Sequence, residues 1–556
     1  MNPAPRHGGH LVADVLSRHG ITHIFGQDSP EWVFSALDHD TFTVTVTRDE
    51  RSAGFAADAV ARLTGRPTVA TGIHGPGFLN LLTALYEARE ASSPVIALVS
   101  GTETTTKGLG AFQELDQVGV ARDLVTWATR VERPDRIEQT IERGIALATA
   151  GRMGPVLIDL PNDVLAAPQP AAASTPVPPR TTHRGAPLPE SVVDMLRHAR
   201  RPVLLLGSAA VHSDPELTVR AAERFGAAVC VTALARGAFP ETHPLFAGVC
   251  GFMSDREDGS GAVANRILRD ADVVFALGTG LDPATTDGGR LLPSATTLIR
   301  LDVDAAALAV DRRSDVAMVG DLHDALRDLA SRTGAERRDA DDRIAQIAEL
   351  WRAVRAAQDE RMHERHDGAI SPAQVFGALR EVMTPRDILV CDAAYSSIWA
   401  LSYLQQGVHF ERTTAGRGAG TLGFGFPAAI GAARAFRGRR VFVVCGDGGF
   451  GFGWAELETA VRVGADITCV ILNNSEFAYQ RLWHELNGTE ARLLGFADVR
   501  HDELARAVGA QGHRVDSLEA VLPALRASRA PGLSVVDIVT TGSELPPFRK
   551  ERHVGK

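Results

Sequence analysis

The chain has 556 residues, 45% hydrophobic and 23% charged, with a formal net charge of −10. That length holds about two to four domains, and the composition is that of an ordinary globular protein. A net negative chain without clustered basic charge is a poor partner for nucleic acid or an anionic membrane, although a local basic pocket for an anionic substrate is still allowed. The opening MNPAPRHGGH has no apolar leader segment, and no run of about 18 apolar residues occurs, so a cytoplasmic location without membrane contact is expected. Five cysteines, at 230, 250, 391, 445 and 469, form no C-x-x-C pair, which is the pattern of reduced, buried thiols.

In chain order, residues 1–165 form a first block whose runs FTVTVT, TVATGI, PVIALVS and PVLIDLP predict strands separated by helices. Residues 166–189 carry seven prolines and predict an extended linker, because proline disrupts both helix and ladder hydrogen bonding. A second block, 190–334, has PVLLLGS, AAVCVTA, DVVFALG and TLIRLDV as strands, and the charged, helix-periodic stretch 335–369 predicts a connecting helix. The third block, 370–541, has DILVCD, RVFVVCGD, ITCVILNN and LSVVDIV, and a basic tail occupies 542–556. Unbroken β-branched runs alternating with helices predict an α/β fold of three doubly wound parallel-sheet domains, with ligands beyond the carboxyl ends of the strands. The first and third blocks look alike in size and pattern, which points to an internal duplication.

The turn GDGGFGFG after RVFVVC contains G-x-G-x-x-G at Gly446, Gly448 and Gly451. A dinucleotide site also needs an acid at the end of the following strand. Asp466 instead precedes that strand, whose end is Asn473-Asn474. Two strand ends, separated by a crossover helix expected at Trp454–Val463, thus present Asp447 and Asn474. A carboxylate, an amide oxygen and a backbone carbonyl suit Mg²⁺, and Gly448 and Gly449 let backbone N–H groups approach phosphates.

G-D-G followed by 24 residues and N-N is similar to the thiamine diphosphate motif of the family that includes acetolactate synthase, pyruvate oxidase and benzoylformate decarboxylase. The resemblance covers nearly the whole chain. It implies a pyrimidine-binding, a central Rossmann-like and a pyrophosphate-binding domain in that order, with thiamine diphosphate and Mg²⁺ as cofactors. Asp447, Asn474 and the Glu476 carbonyl would then hold the metal. RDERSAGFAADAVARLTGRP resembles the family's R-H-E-x-x-A-G-x-A-A-D pattern and puts Glu50 at the catalytic glutamate, with Asp49 where histidine is commoner. Without the metal motif, Glu50 would read as a helix-start acid favoured by the dipole. TTAGRGAGTLGFGFPAAIG resembles the turn beneath the aminopyrimidine, with the Gly420 carbonyl as acceptor and Leu422 as the apolar wedge. DAAYSSIWA offers Tyr395 and Ser396 as diphosphate contacts. The resemblance also implies that the pyrimidine domain of one subunit faces the pyrophosphate domain of another, hence a homodimer or homotetramer.

Substrate choice stays open at this stage. GAFQELDQVG resembles the acetolactate synthase segment that places Phe112 and Gln113 over the cofactor, and the alternative is a helix-start glutamine that binds solvent. NNSEFAYQRLWHEL, with Trp483, points the same way. His74 in TGIHGPGFLN occupies the place of an active-site histidine of benzoylformate decarboxylases and reads equally as a structural histidine in a glycine turn. GAFQELDQV and GFGFGWAELETAVR also resemble 2-hydroxyacyl-CoA lyases and oxalyl-CoA decarboxylases. The basic end, with Arg549, Lys550, Arg552 and Lys556, reads either as a solvated tail or as charges that close over CoA phosphates. GTGLDPATTDG replaces the synthases' R-F-D-D-R segment, which makes FAD a doubtful cofactor. The expected activity is acetolactate synthase-like 2-keto acid decarboxylation and carboligation. A 2-hydroxyacyl-CoA lyase or a benzoylformate decarboxylase-like enzyme is the alternative.

Overall fold

A computed structural model describes residues 6–169, 185–309, 314–332, 340–364, 366 and 368–548. Much of the proline-rich linker, and the four basic residues of the tail, lie outside the described residues.

Three six-stranded parallel sheets form the framework. The first contains β1 (His23–Gly26), β2 (Thr43–Val46), β3 (Thr68–Gly72), β4 (Val95–Gly101), β5 (Trp127–Arg130) and β6 (Val156–Pro161), ordered β2-β1-β3-β4-β6-β5. The second contains β7 (Pro202–Leu206), β8 (Ala228–Val231), β9 (Phe246–Val249), β10 (Val273–Leu277), β11 (Thr297–Asp302) and β12 (Val316–Val319), ordered β12-β11-β10-β7-β8-β9. The third contains β13 (Ile388–Cys391), β14 (Arg412–Ala415), β15 (Val441–Gly446), β16 (Ile467–Asn473), β17 (Gln511–Val515) and β18 (Leu533–Val539), ordered β14-β13-β15-β16-β18-β17.

Counted from its own first strand, each outer sheet has the order 2-1-3-4-6-5. The shared order agrees with the duplication expected from the sequence. The central sheet reads 3-2-1-4-5-6, the order of dinucleotide-type folds. The central strands are the apolar runs of the sequence. β4 and β16 are buried at every position, as a parallel sheet covered on both faces requires.

The outer domains share a core. Helix Glu50–Thr64 of the first domain crosses helix Gly425–Ala435 of the third, and Phe55, Ala59 and Leu63 join Phe424, Phe426 and Ile430 in one apolar cluster. The crossing is close enough that a Cβ on Gly431 would lie 2.3 Å from the Ala56 carbonyl oxygen. On the opposite side of the first helix, Gly54 meets the Ala84 methyl in the same way, at 2.5 Å. Small residues on both sides therefore wedge this helix between two neighbours. Gly431→Val is expected to force the helices apart and to destabilise the chain by about 1–3 kcal/mol, the usual cost of overpacking. A lowered urea midpoint would register this; an unchanged midpoint would refute the close crossing.

Candidate active site

In a sheet ordered 2-1-3-4, ligands gather where the chain's direction of winding reverses, here between β13 and β15. Asp392 follows β13, Asp447 follows β15, and Asn474 follows β16. These residues, with Tyr395, Leu422 and Glu476, line a single cleft. Gly448 and Gly449 form part of its floor. A Cβ on Gly449 would fall 2.1 Å from the Asp392 carboxylate, and one on Gly448 would fall 2.7 Å from the Phe477 ring. The glycines of GDGG thus let the turn lie against both groups.

The Asn474 side chain places one of its two terminal amide atoms 3.2 Å from Asp447 Oδ1 and 3.0 Å from the Glu476 carbonyl oxygen. As nitrogen, that atom donates to both. As oxygen, it completes with the Asp447 carboxylate and the Glu476 carbonyl an all-oxygen donor set, the type that Mg²⁺ takes. Ser475, between two of these donors, adopts φ +55°, and this left-handed residue turns the Glu476 carbonyl back toward Asp447. The donor set is one carboxylate, one amide and one carbonyl. Among the described residues, no group of three His, Cys, Asp or Glu side chains gathers to hold a softer metal. The three oxygens fit a hard cation.

Burial pushes the Asp447 carboxyl up to about 6, against weaker hydrogen bonds from backbone N–H groups. Asp392, fully enclosed, is also pushed up to about 6 by burial. It accepts from the backbone N–H groups of Ala393 at 2.8 Å, Gly423 at 3.1 Å and Gly425 at 3.3 Å. It therefore clamps the far end of the glycine-rich turn that carries Gly420 and Leu422. Leu422 reaches the cleft, whereas Gly420, at φ +76°, does not line it. Tyr395 also faces the cleft, and its buried hydroxyl has no hydrogen-bond partner among the described residues. The Ser396 hydroxyl donates back to the Asp392 or Ala393 carbonyl oxygen, at 3.2 and 3.0 Å. Its proton is thus committed within its own turn.

A second cluster sits on the first sheet. Asp49 caps helix Glu50–Thr64 by accepting the Arg51 N–H at 2.7 Å, and Glu50 is its first residue, 4% exposed. This local role accounts for an aspartate where the resemblance predicts histidine. Glu50 Oε2 accepts from Asn80 Nδ2 at 3.0 Å, and Oε1 faces Gly77, where a Cβ would lie 2.6 Å away. Glu456, on helix Glu456–Arg462, accepts from the Arg48 and Asp49 N–H groups at 3.0 and 3.1 Å and so fixes the turn leading to Glu50. That helix is shorter than the Trp454–Val463 span expected from the sequence.

His74 and Gln113 lie beside this cluster. The His74 backbone N–H donates to Ser100 Oγ at 2.9 Å, and its ring Nδ1 is 3.1 Å from the same oxygen. A Cβ on Gly75 would sit 3.0 Å from Gln113 Cβ. Gln113 is not at a helix start, as the sequence suggested: it occupies a turn at φ +61°, and the helix begins at Gln117. Its neighbour Phe112 is 84% exposed. None of Glu50, His74 and Gln113 lines the Asp447 cleft.

Sequence reasoning passed over Asp392 and Glu456. Asp392 carried the same signal as Asp447, an acid ending an apolar strand. Glu456 is one acid among several on an amphipathic helix, and only its contact with another domain distinguishes it.

Two parallel-sheet domains of equal topology carry a cluster of buried acids and oxygen donors at the switch point of one and a buried glutamate at a helix start of the other. Comparison with known proteins specifies the cofactor. Residues 6–120 match the thiamine pyrophosphate enzyme N-terminal TPP binding domain, residues 190–329 its central domain, and residues 392–538 its C-terminal TPP binding domain. The probable acetolactate synthase large subunit of Methanocaldococcus jannaschii is 30% identical, the alignment covering 97% of this chain and 93% of that one. The acetolactate synthase isozyme 3 large subunit of Escherichia coli is 28% identical over 97% and 95% of the two chains. The sulfoacetaldehyde acetyltransferase of Rhodobacter capsulatus is 31% identical over 97% and 95%. The chain belongs to the thiamine pyrophosphate enzyme family and is an enzyme of the acetolactate synthase-like type within it.

Proposed function

We propose that the enzyme decarboxylates a 2-keto acid and joins the remaining fragment to a second carbonyl compound, with Mg²⁺ anchoring thiamine diphosphate. The observation that carries the reading is the convergence of Asp447, Asn474 and the Glu476 carbonyl at the switch point of the third sheet. These three groups would hold Mg²⁺, and Gly448 and Gly449 would admit the diphosphate beside it. When bound, thiamine diphosphate supplies the electron sink for breaking or making a C–C bond next to a carbonyl.

The chain's own residues bind, orient and move protons. Glu50, its Oε2 occupied by Asn80, would hold a proton at Oε1 for a ring nitrogen of the pyrimidine. The Gly420 carbonyl would accept from the pyrimidine's amino group, and Leu422 would set the angle between the two rings. Tyr395 and Ser396 remain candidates for the diphosphate end. His74, backed by Ser100, and Gln113 would face the substrate carbonyl. Because the Glu50 cluster does not line the Asp447 cleft, a complete site takes the pyrimidine domain of a second copy. We therefore infer a homodimer, or a homotetramer made from two. No helix among the described residues is long and apolar enough to cross a membrane.

Turnover of the holoenzyme on pyruvate, benzoylformate, sulfoacetaldehyde and oxalyl- or 2-hydroxyacyl-CoA, measured side by side, tests the substrate class. Acetolactate from pyruvate, at a rate above all other substrates, is the expected result. Preferred turnover of a CoA thioester would replace this reading with the lyase.

A further inference from the structure

We propose that Glu87, in the first domain, is a positioning residue that shapes the cofactor-facing turn of the third. The proposal rests on the thiamine diphosphate site described above and concerns the shape of its glycine-rich turn.

Glu87 lies on helix Pro76–Glu90 and its side chain is completely buried. One oxygen, Oε1, accepts from the Gly418 N–H at 2.7 Å and from Arg62 Nη2 at 3.0 Å. The other, Oε2, accepts from the Ala419 N–H at 2.9 Å, the Thr421 N–H at 3.3 Å and the Thr421 hydroxyl at 3.0 Å. Both oxygens therefore face donors only, and four of the five belong to the glycine-rich turn of another domain. A Cβ at Gly418 would lie 2.5 Å from the Glu87 carbonyl oxygen, so only glycine lets the turn come this close.

Arg62 ties the same turn from a second side. It donates to the Ala415 carbonyl at 2.8 Å, pairs with buried Asp58, and lies over the Phe424 ring at 5.1 Å. Burial alone would raise the Glu87 carboxyl, but Arg62 and the turn's N–H groups hold it below the usual range. Asp58, pushed up by its own burial, takes the same guanidinium through both of its carboxylate oxygens.

The turn is thus gripped by two acids. Glu87 holds residues 418–421 and Asp392 holds 423–425, leaving Leu422 between them facing the cleft. Leu422 and the Gly420 carbonyl take their positions from the first domain as well as the third.

Glu87→Gln keeps the volume but points an amide N–H₂ at donors. In the Mg²⁺- and thiamine diphosphate-loaded enzyme, kcat is expected to fall at least about tenfold, since small displacements of orienting groups are costly. The Kd for thiamine diphosphate with Mg²⁺ should change less than about threefold, because among the described residues no hydrogen bond links Asp447, Asn474 or Glu476 to residues 418–421, and the near-ultraviolet circular dichroism of the bound cofactor should change shape. Thr421→Val, which removes one contact of five, should lower kcat about two- to fivefold at constant Kd, and it decides the matter if Glu87→Gln does not fold. Wild-type kcat and dichroism in the variants, or an affinity loss as large as the kcat loss, would overturn the assignment. Failure of the wild-type enzyme to bind thiamine diphosphate would instead overturn the cofactor site.

Discussion

Glu50→Gln will leave the fold and thiamine diphosphate binding intact and will lower turnover by about 10²- to 10⁴-fold, the range for removing a positioned proton-transfer group. Glutamine keeps the volume of a side chain that is only 4% exposed, and its amide oxygen can still accept from Asn80. Asp49 still caps the helix, and Glu456 still holds the Arg48–Asp49 turn. Local structure therefore has no reason to change. Only the ability of Oε1 to give and regain a proton is lost. Circular dichroism and calorimetry on the variant, beside steady-state rates, separate the outcomes. Turnover within threefold of wild type would reduce Glu50 to the dipole-favoured helix-start acid its position also allows.

Each sheet yielded four of its six strands to inspection of the sequence, and most of those that escaped share a physical cause. β5, β12, β14 and β17 are edge strands of four or five residues, mostly half-buried or exposed. They lack the continuous apolar run that reveals a strand covered on both faces. β9 is a fully buried edge, but its FAGV is short and contains glycine. β1 lies inside its sheet and still escaped, because HIFG is too brief to separate from the helix before it. The metal-type donors were legible because strand ends expose their last residues in a fixed direction. Glu87 was not: its meaning comes from a turn more than 300 residues away, and one of two acids in the last turn of helix Pro76–Glu90 carries no local signal.

Asp447→Ala is expected to abolish Mg²⁺-dependent thiamine diphosphate binding in calorimetry, since it removes the only carboxylate of the oxygen trio. Ordinary affinity would refute the metal assignment. The same residue should also cost the empty protein stability, and the sign distinguishes a ligand from a structural acid. Burial raises the folded Asp447 carboxyl from 3.8 to about 6. Well below pH 3.8 the group is protonated in both the folded and unfolded chain and carries no penalty. Between about pH 3.8 and 6 the unfolded chain ionises while the folded carboxyl stays protonated, so stability falls with rising pH by roughly 3 kcal/mol in all, and above 6 the loss is constant. Asp392, also raised to about 6, adds to the same trend. Metal and cofactor bind the ionised form, so the gain in Tm on adding both should be larger at pH 7.5 than at pH 5.5. Asp447→Asn, which keeps the shape without the charge, should melt at or above the temperature of wild-type apoprotein at pH 7.5 and gain nothing from Mg²⁺. A carboxylate placed for structure would behave in the opposite way: its neutralisation would lower Tm at every pH, with or without the metal.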